Sequence, residues 1–162
     1  DAQTVALRPL FEDLRDDLAS GYPDATVDVD VPAETFVRAT RPLVDIVIRN
    51  ALENALEHAG SASPTVTVRV IEHASDGDVL AVEIRDDGPG IPPHELDVLD
   101  DDGETALEHG SGLGLWIITW GTEALGGDVT FDVGDSGTSV VLQLPRADAP
   151  AASSAPPIRD NA

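Results

Sequence analysis

The sequence contains no cysteine, no methionine and no lysine. Without cysteine, disulfides, thiolate metal sites and thiol nucleophiles are excluded. Without lysine, a phosphate-binding loop of the Gly-Lys-Ser/Thr type, a serine/threonine protein kinase with its strand lysine, and Schiff-base chemistry are all excluded. No apolar run approaches the roughly 20 residues that a membrane span requires. The start, Asp1-Ala2-Gln3, lacks the basic-then-apolar order of a signal peptide. Methionine is missing even as an initiator, so the chain reads as a piece of something longer.

Positive charge is scarce. Nine basic residues, all arginine, stand against 31 acidic ones, for a formal net charge of -22. Nucleic-acid binding needs a basic patch to neutralise phosphate, and none is available. Such a surface repels itself in dilute buffer and is tolerated where concentrated salt screens it. A halophilic cytoplasm is therefore expected, with no contact to a membrane.

What remains is enough for one folded domain: 162 residues, 41% of them hydrophobic. Leu7, Leu10, Phe11, Leu14 and Leu18 fall at helical spacing, and the helix ends near Gly21 and Pro23. Val27, Val29 and Val31 alternate with aspartates as a half-buried strand. A second helix runs from about Pro42 to His58. Two alternating segments follow, around Val66–Val70 and Val79–Arg85, and read as a hairpin across Asp76-Gly77. A third helix begins near Ser111 and stops at Gly126-Gly127. Two last strands, 128–133 and 138–144, flank the turn Gly134-Asp135-Ser136-Gly137. Strands with one polar face imply helices on one side only, so the expected fold is a two-layer α/β sandwich with a mixed sheet. Residues 1–146 form the domain, and 147–162 an Ala/Pro/Ser-rich disordered tail.

Three constellations carry chemistry. Asn50, Asn54 and His58 repeat at every fourth position and so form one stripe of the second helix. A carboxamide oxygen suits a hard cation such as magnesium, and its NH₂ can donate to phosphate; a solvated polar face is the plainer alternative. Asp86 lies on the same strand face as Leu80, Val82 and Ile84, which points a carboxylate toward the buried side at the strand end. Such a group needs a hydrogen-bond donor, and the exocyclic amino group of adenine is one. Gly110-Ser111-Gly112-Leu113-Gly114-Leu115 offers exposed backbone N–H groups and a helix N-terminus, which favour phosphate.

In this order and spacing, the strings NALENALEH, DDGPGI and GSGLGLWI resemble the N box and two glycine boxes of the histidine-kinase-type ATPases, the superfamily shared with DNA gyrase, Hsp90 and MutL. The resemblance covers roughly residues 5 to 145. It implies the Bergerat ATP-binding fold, with ATP and Mg²⁺ as cofactors. Asn54 would ligate the magnesium, supported by Asn50, with His58 nearby. Asp86 would read adenine, while Gly88, Gly90 and Ile91 pass beneath the base. Gly110, Ser111, Gly112, Leu113, Gly114 and Leu115 would face the phosphates. Residues 92–109, with seven acidic side chains, would form the lid over the nucleotide.

Hydrolysing branches of the superfamily carry a glutamate four residues before the magnesium asparagine. Here that position is Asn50, which favours a kinase. The resemblance thus implies a sensor histidine kinase, whose phosphoacceptor histidine lies on a helical dimerisation domain outside this chain and whose onward partner is a response-regulator receiver domain. Two departures stand out: Glu57 occupies a position where many relatives have lysine, and Asp86 to Leu115 contains no Lys or Arg. These leave two alternatives: a degenerate nucleotide-binding or protein-interaction module, and a serine kinase acting on a regulatory protein.

If the acidic surface is an adaptation to salt, the thermal unfolding midpoint is expected to rise as KCl goes from low to molar concentration. A midpoint indifferent to KCl removes the halophilic reading.

Overall fold

A five-stranded mixed sheet carries the structure. The computed structural model describes residues 1–58, 63–71, 77–87, 113–134 and 137–148. In chain order these form β1 (Gln3–Ala6), α1 (Leu7–Leu18), β2 (Thr26–Asp30), β3 (Phe36–Ala39), α2 (Arg41–His58), β4 (Thr65–Ile71), β5 (Val79–Asp86), α3 (Leu113–Ala124), β6 (Asp128–Gly134) and β7 (Gly137–Pro145). The strand order is β2-β4-β5-β7-β6. Only β2 and β4 run parallel; the other three pairings are antiparallel.

The alternation seen in sequence decides the faces. Val66 and Val68, Leu80, Val82 and Ile84, and Val140, Leu142 and Leu144 are buried on one side of the sheet. The helices lie over that side, α1 against β2, α2 against β4 and β5, and α3 against β6 and β7. The five apolar positions of α1 are all buried, with Phe11 fully enclosed. Each such side chain contributes about 1.5–3 kcal/mol relative to exposure. The α/β sandwich expected from sequence is therefore the fold observed.

Two short strands add to that expectation. β1 and β3 pair antiparallel in a separate ribbon, with Val5 opposite Val37. Arg146 bridges to Val37, and the Ala147 N–H donates to the Phe36 carbonyl at 3.0 Å, so the end of β7 continues onto this ribbon. Of the expected tail, 147–162, Ala147 is the residue that joins this ribbon, and residues 149–162 lie outside the described residues.

Helix ends follow local chemistry. The Thr40 carbonyl accepts from the Val44 N–H at 2.9 Å to open α2, and Pro42 sits in the first turn, where its missing donor is not needed. Beyond α3, the Gly127 N–H returns to the Thr122 carbonyl at 2.9 Å and the Gly126 N–H to Glu123 at 3.0 Å, the glycine stop expected there.

The layer is tightest where α2 meets α3. A Cβ on Gly121 would lie 2.4 Å from Val47 Cγ2, while one on Gly114 would lie 3.8 Å from Asn50 Oδ1. As α3 advances from Gly114 to Gly121, its partners on α2 go back from Asn50 to Val47. The two helices are antiparallel, and α3 begins beside Asn50.

The opposite face of the sheet is polar, with Asp28, Asp30, Arg69, Arg85, Thr130 and Asp132 exposed. Glu83 is the one charged side chain buried on that face among the described residues, only 6% exposed. Arg69 Nε donates to Glu83 Oε1 at 2.6 Å, and Ser139 Oγ donates to Oε2. One carboxylate thereby ties β4, β5 and β7 together. Burial alone pushes its pKa up, but the Ser139 and Arg69 hydrogen bonds and the arginine charges outweigh that and hold it below the ordinary value.

Two outcomes follow. Gly121→Ala gains about 1 kcal/mol of helix propensity but must displace Val47, and overpacking of this kind costs typically 1–3 kcal/mol. A net loss in urea unfolding at fixed molar KCl is expected, recovered when Val47→Ala is added. Because the folded-state pKa of Glu83 is depressed, its stabilisation is fully present above the unfolded value of 4.5 and is lost as pH falls through the folded one. The stability gap between wild type and Glu83→Gln, about 1–3 kcal/mol at neutral pH for hydrogen bonds to a charged group, is expected to close on acidification. A gap that stays constant from pH 7 into the acid range would contradict it.

Candidate functional site

Asp86 ends β5 on the buried face, as its alternation with Leu80, Val82 and Ile84 requires, and is 4% exposed. Its register partner on β4 is Val66, itself fully buried. A carboxylate in such surroundings is stable only when hydrogen-bonded. Here the Thr138 N–H donates to Asp86 Oδ1 at 3.3 Å. That donor comes from the start of β7, and Gly137 lets it come close: a Cβ there would sit 2.1 Å from the Asp86 carbonyl oxygen. The next residue, Asp87, turns outward and accepts from the Thr65 N–H at 3.3 Å.

Thr138 itself is 2% exposed, and its Oγ1 is buried with no hydrogen-bond partner among the described residues. Leaving a buried hydroxyl unsatisfied costs about 1–3 kcal/mol. This hydroxyl belongs to the residue whose N–H reaches the buried Asp86 carboxylate, so two polar side chains adjoin on the buried face. The sequence reading overlooked Thr138. The available signal was its position directly after the turn glycine, in phase with Val140 and Leu142 on the buried face.

The amide stripe lies on α2, which packs on β4 and β5, so it shares the helix–sheet interface with Asp86. Asn54 is largely buried at 9% exposure. Asn50 Nδ2 donates to the Ile46 carbonyl at 2.8 Å, one turn back on its own helix. The N-terminus of α3 meets α2 at Asn50, through Gly114. The free N–H groups and positive dipole end of α3 are thereby brought to the amide stripe. Leu115 turns the other way and is fully buried in the core. Gly88, Gly90, Ile91, Gly110, Ser111, Gly112, the side chains of His58 and Leu113, and the whole 92–109 segment lie outside the described residues.

Near the C-terminal end of α2, the Tyr22 hydroxyl donates to Glu57 Oε2 at 3.2 Å. Burial, then the Glu57 charge and hydrogen bond, raise the Tyr22 pKa. Glu57 is thus turned toward the loop after α1. Among the described residues, no cluster of three or more His, Asp or Glu could hold a metal. A magnesium ion fits here only as an ion carried largely by phosphates and water, with an asparagine oxygen completing its shell. A groove of about 530 Å³ between α1 and α2, lined by Asp13, Asp17, Asp45 and Arg49 among others, shares no lining residue with these groups.

Comparison with known proteins agrees with this architecture. Residues 40–148 match the family described as histidine kinase-, DNA gyrase B-, and HSP90-like ATPase. The signal transduction histidine-protein kinase AfsQ2 of Streptomyces coelicolor is 33% identical over 132 residues, 78% of this chain and 24% of that protein. The sensor-type histidine kinase PrrB of Mycobacterium tuberculosis is 30% identical over 146 residues, 87% of this chain and 31% of that one. The chain spans about a quarter to a third of the length of these relatives. Among solved structures, the mycobacterial sensor histidine kinase MprB superimposes with a TM-score of 0.75 at 23% identity, covering 92% of this chain and all 100% of that one. The ATP-binding domain of M. tuberculosis PrrB gives 0.69 at 22% identity, covering 91% and 99%. The relatives matched here are histidine kinases, and the chain itself belongs to the histidine kinase-, DNA gyrase B- and HSP90-like ATPase family.

Proposed function

We propose that this domain binds ATP with Mg²⁺ between α2 and the segment following Asp86. From there the γ-phosphoryl group goes to a histidine on a helical dimerisation domain of the parent protein, and onward to an aspartate of a response-regulator receiver. The observation that carries the reading is the buried Asp86 carboxylate set against the unpartnered Thr138 hydroxyl. Asp86 accepts from the adenine amino group, and Thr138 completes the polar edge of the base pocket. Asn54 contributes an oxygen toward the metal. Gly88, Gly90 and Ile91 underlie the base; Gly110, Ser111, Gly112, Leu113, Gly114 and Leu115 surround the phosphates with backbone, and His58 lies nearby. Bound magnesium supplies charge neutralisation for the transferring phosphoryl group.

Asn50 favours transfer over hydrolysis. Activating a water needs a group that takes up its proton, and a carboxamide does not do so at neutral pH. Its NH₂ is moreover engaged by the Ile46 carbonyl. The phosphoryl group is therefore kept for an external acceptor.

The acceptor needs a surface to dock on. Ile46 and Trp120, 48% and 51% exposed, each precede one member of the Val47–Gly121 contact. In antiparallel helices that places both on the solvent side of the α2–α3 seam. Trp120 stacks on Trp116 with ring centroids 5.9 Å apart. An apolar patch of this kind suits an amphipathic helix of the acceptor domain. No helix among the described residues is long and apolar enough to cross a membrane. A cytoplasmic, salt-rich setting fits the ATP requirement and the acidic surface.

ATP titration with and without Mg²⁺ tests the pocket. Asp86→Ala is expected to weaken ATP binding at least ~10-fold, the loss of one charge-assisted hydrogen bond. Asn54→Ala is expected to reduce affinity in Mg²⁺ to the metal-free level. Wild-type affinity in both variants rejects the assignment. Phosphate transfer to an added acceptor domain separates a kinase from a binding module, the reading that the absence of Lys and Arg from Asp86 to Leu115 would otherwise favour.

A further inference from the structure

Among the described residues, two acidic side chains are buried, and both are on β5: Asp86 at 4% exposure and Glu83 at 6%. Three residues apart on a strand, they point to opposite faces of the sheet. Asp86 faces the helices. Glu83 faces the solvent side, where an exposed or apolar residue would serve the sheet as well. Its surroundings include Ala81, also buried, and Val141, half-buried. Replacing a buried ionic network by apolar groups is often neutral or stabilising, so the stability of the sheet alone gives no reason for a carboxylate there. A fixed, directional hydrogen-bond acceptor gives one.

The direction is toward β7. Ser139 Oγ donates to Glu83 Oε2, while Arg69 Nε donates to Oε1 from the other neighbouring strand. Ser139 follows Thr138, and the two alternate across the sheet. Thr138, on the far face, gives its N–H to Asp86 Oδ1. The dipeptide Thr138-Ser139 is therefore held at its serine from one side and meets the Asp86 carboxylate from the other. Gly137 ahead of it rests on the Asp86 carbonyl. What fixes Ser139 fixes the donor that orients Asp86.

We infer that Glu83, acting through Ser139, is a positioning residue for base recognition at Asp86, and so tunes selectivity for adenine over guanine from outside the pocket. This rests on the reading of Asp86 as the acceptor for the adenine amino group. Guanine presents an oxygen where adenine presents that amino group, so discrimination depends on where the carboxylate is aimed. A start of β7 that is free to shift would aim it less well.

The test compares affinity for ATP and for GTP, with Mg²⁺ at fixed molar KCl, in Ser139→Ala, Glu83→Gln, Ser139→Thr and Asp86→Ala, alongside thermal midpoints. Ser139→Ala and Glu83→Gln are expected to weaken ATP binding several-fold with GTP binding little changed, so the ratio falls. Ser139→Thr keeps the hydroxyl and is expected to keep the wild-type ratio. Lowered midpoints with an unchanged ratio would make Glu83 a purely structural residue and overturn the inference. Asp86→Ala separates the two layers of the argument. If it leaves ATP affinity intact, the base-reading role itself is wrong. If it abolishes selectivity while the Glu83 and Ser139 variants keep it, only the positioning role is wrong. Glu83→Gln preserves shape and one acceptor oxygen, so it remains informative should Ser139→Ala fold poorly.

Discussion

A carboxylate placed where a strand runs out of ladder, beneath a layer of helices, constrains everything around it. Asp86 needs donors that the strand cannot supply, because its neighbours along β5 on that face are Leu80, Val82 and Ile84. One donor comes from β7, the strand hydrogen-bonded to β5 on the side away from β4. This makes the order β4-β5-β7 more than a packing outcome. It delivers the Thr138 backbone to the Asp86 side chain, and it requires glycine at 137 for the two backbones to approach. The same crossing leaves the Thr138 hydroxyl buried with no hydrogen-bond partner among the described residues, a small destabilisation.

The helix layer answers to a second constraint of the same kind. Helix axes come close only where side chains are small, and Gly121 on α3 permits close contact with Val47 on α2. One helix turn and more away, Gly114 sets the start of α3 against Asn50. The close contact at Gly121 and the N-terminus of α3 at Gly114 are thus two ends of one helix–helix contact. A bulkier residue at 121 would tilt α3 and move its N–H groups relative to Asn54, so core packing and the geometry of the site cannot be varied separately.

Much of this was legible in the sequence because it is periodic. The five apolar positions of α1, the amide stripe of α2 and the alternation that ends in Asp86 each follow from one strand or helix period. Parts that depend on partners distant in sequence were not legible. β1 and β3 are four residues each and pair across more than thirty positions, too short to carry a pattern of their own. Thr138 read as the first residue after a turn, since nothing local says that its N–H will face a carboxylate 52 positions earlier. Glu83 read as an ordinary polar-face residue; its burial depends on Arg69 and Ser139, which reach it from two different strands. Tertiary pairing, not local propensity, set each of these.

The charge pattern bears on how phosphate can be held at all. Glu57, near the C-terminal end of α2, carries a negative charge and accepts a hydrogen bond from the Tyr22 hydroxyl. With no Lys or Arg between Asp86 and Leu115, the proposed site would meet nucleotide charge with backbone N–H groups, the α3 dipole and the cation that arrives with it. Backbone donors and a phosphate-borne metal keep their chemistry in concentrated salt, whereas an exposed lysine–phosphate pair is screened within a few ångströms at molar ionic strength. A site built this way gives up long-range attraction for phosphate and keeps short-range contact. That exchange is consistent with a surface of net charge -22, on which long-range attraction for an anion was already lost.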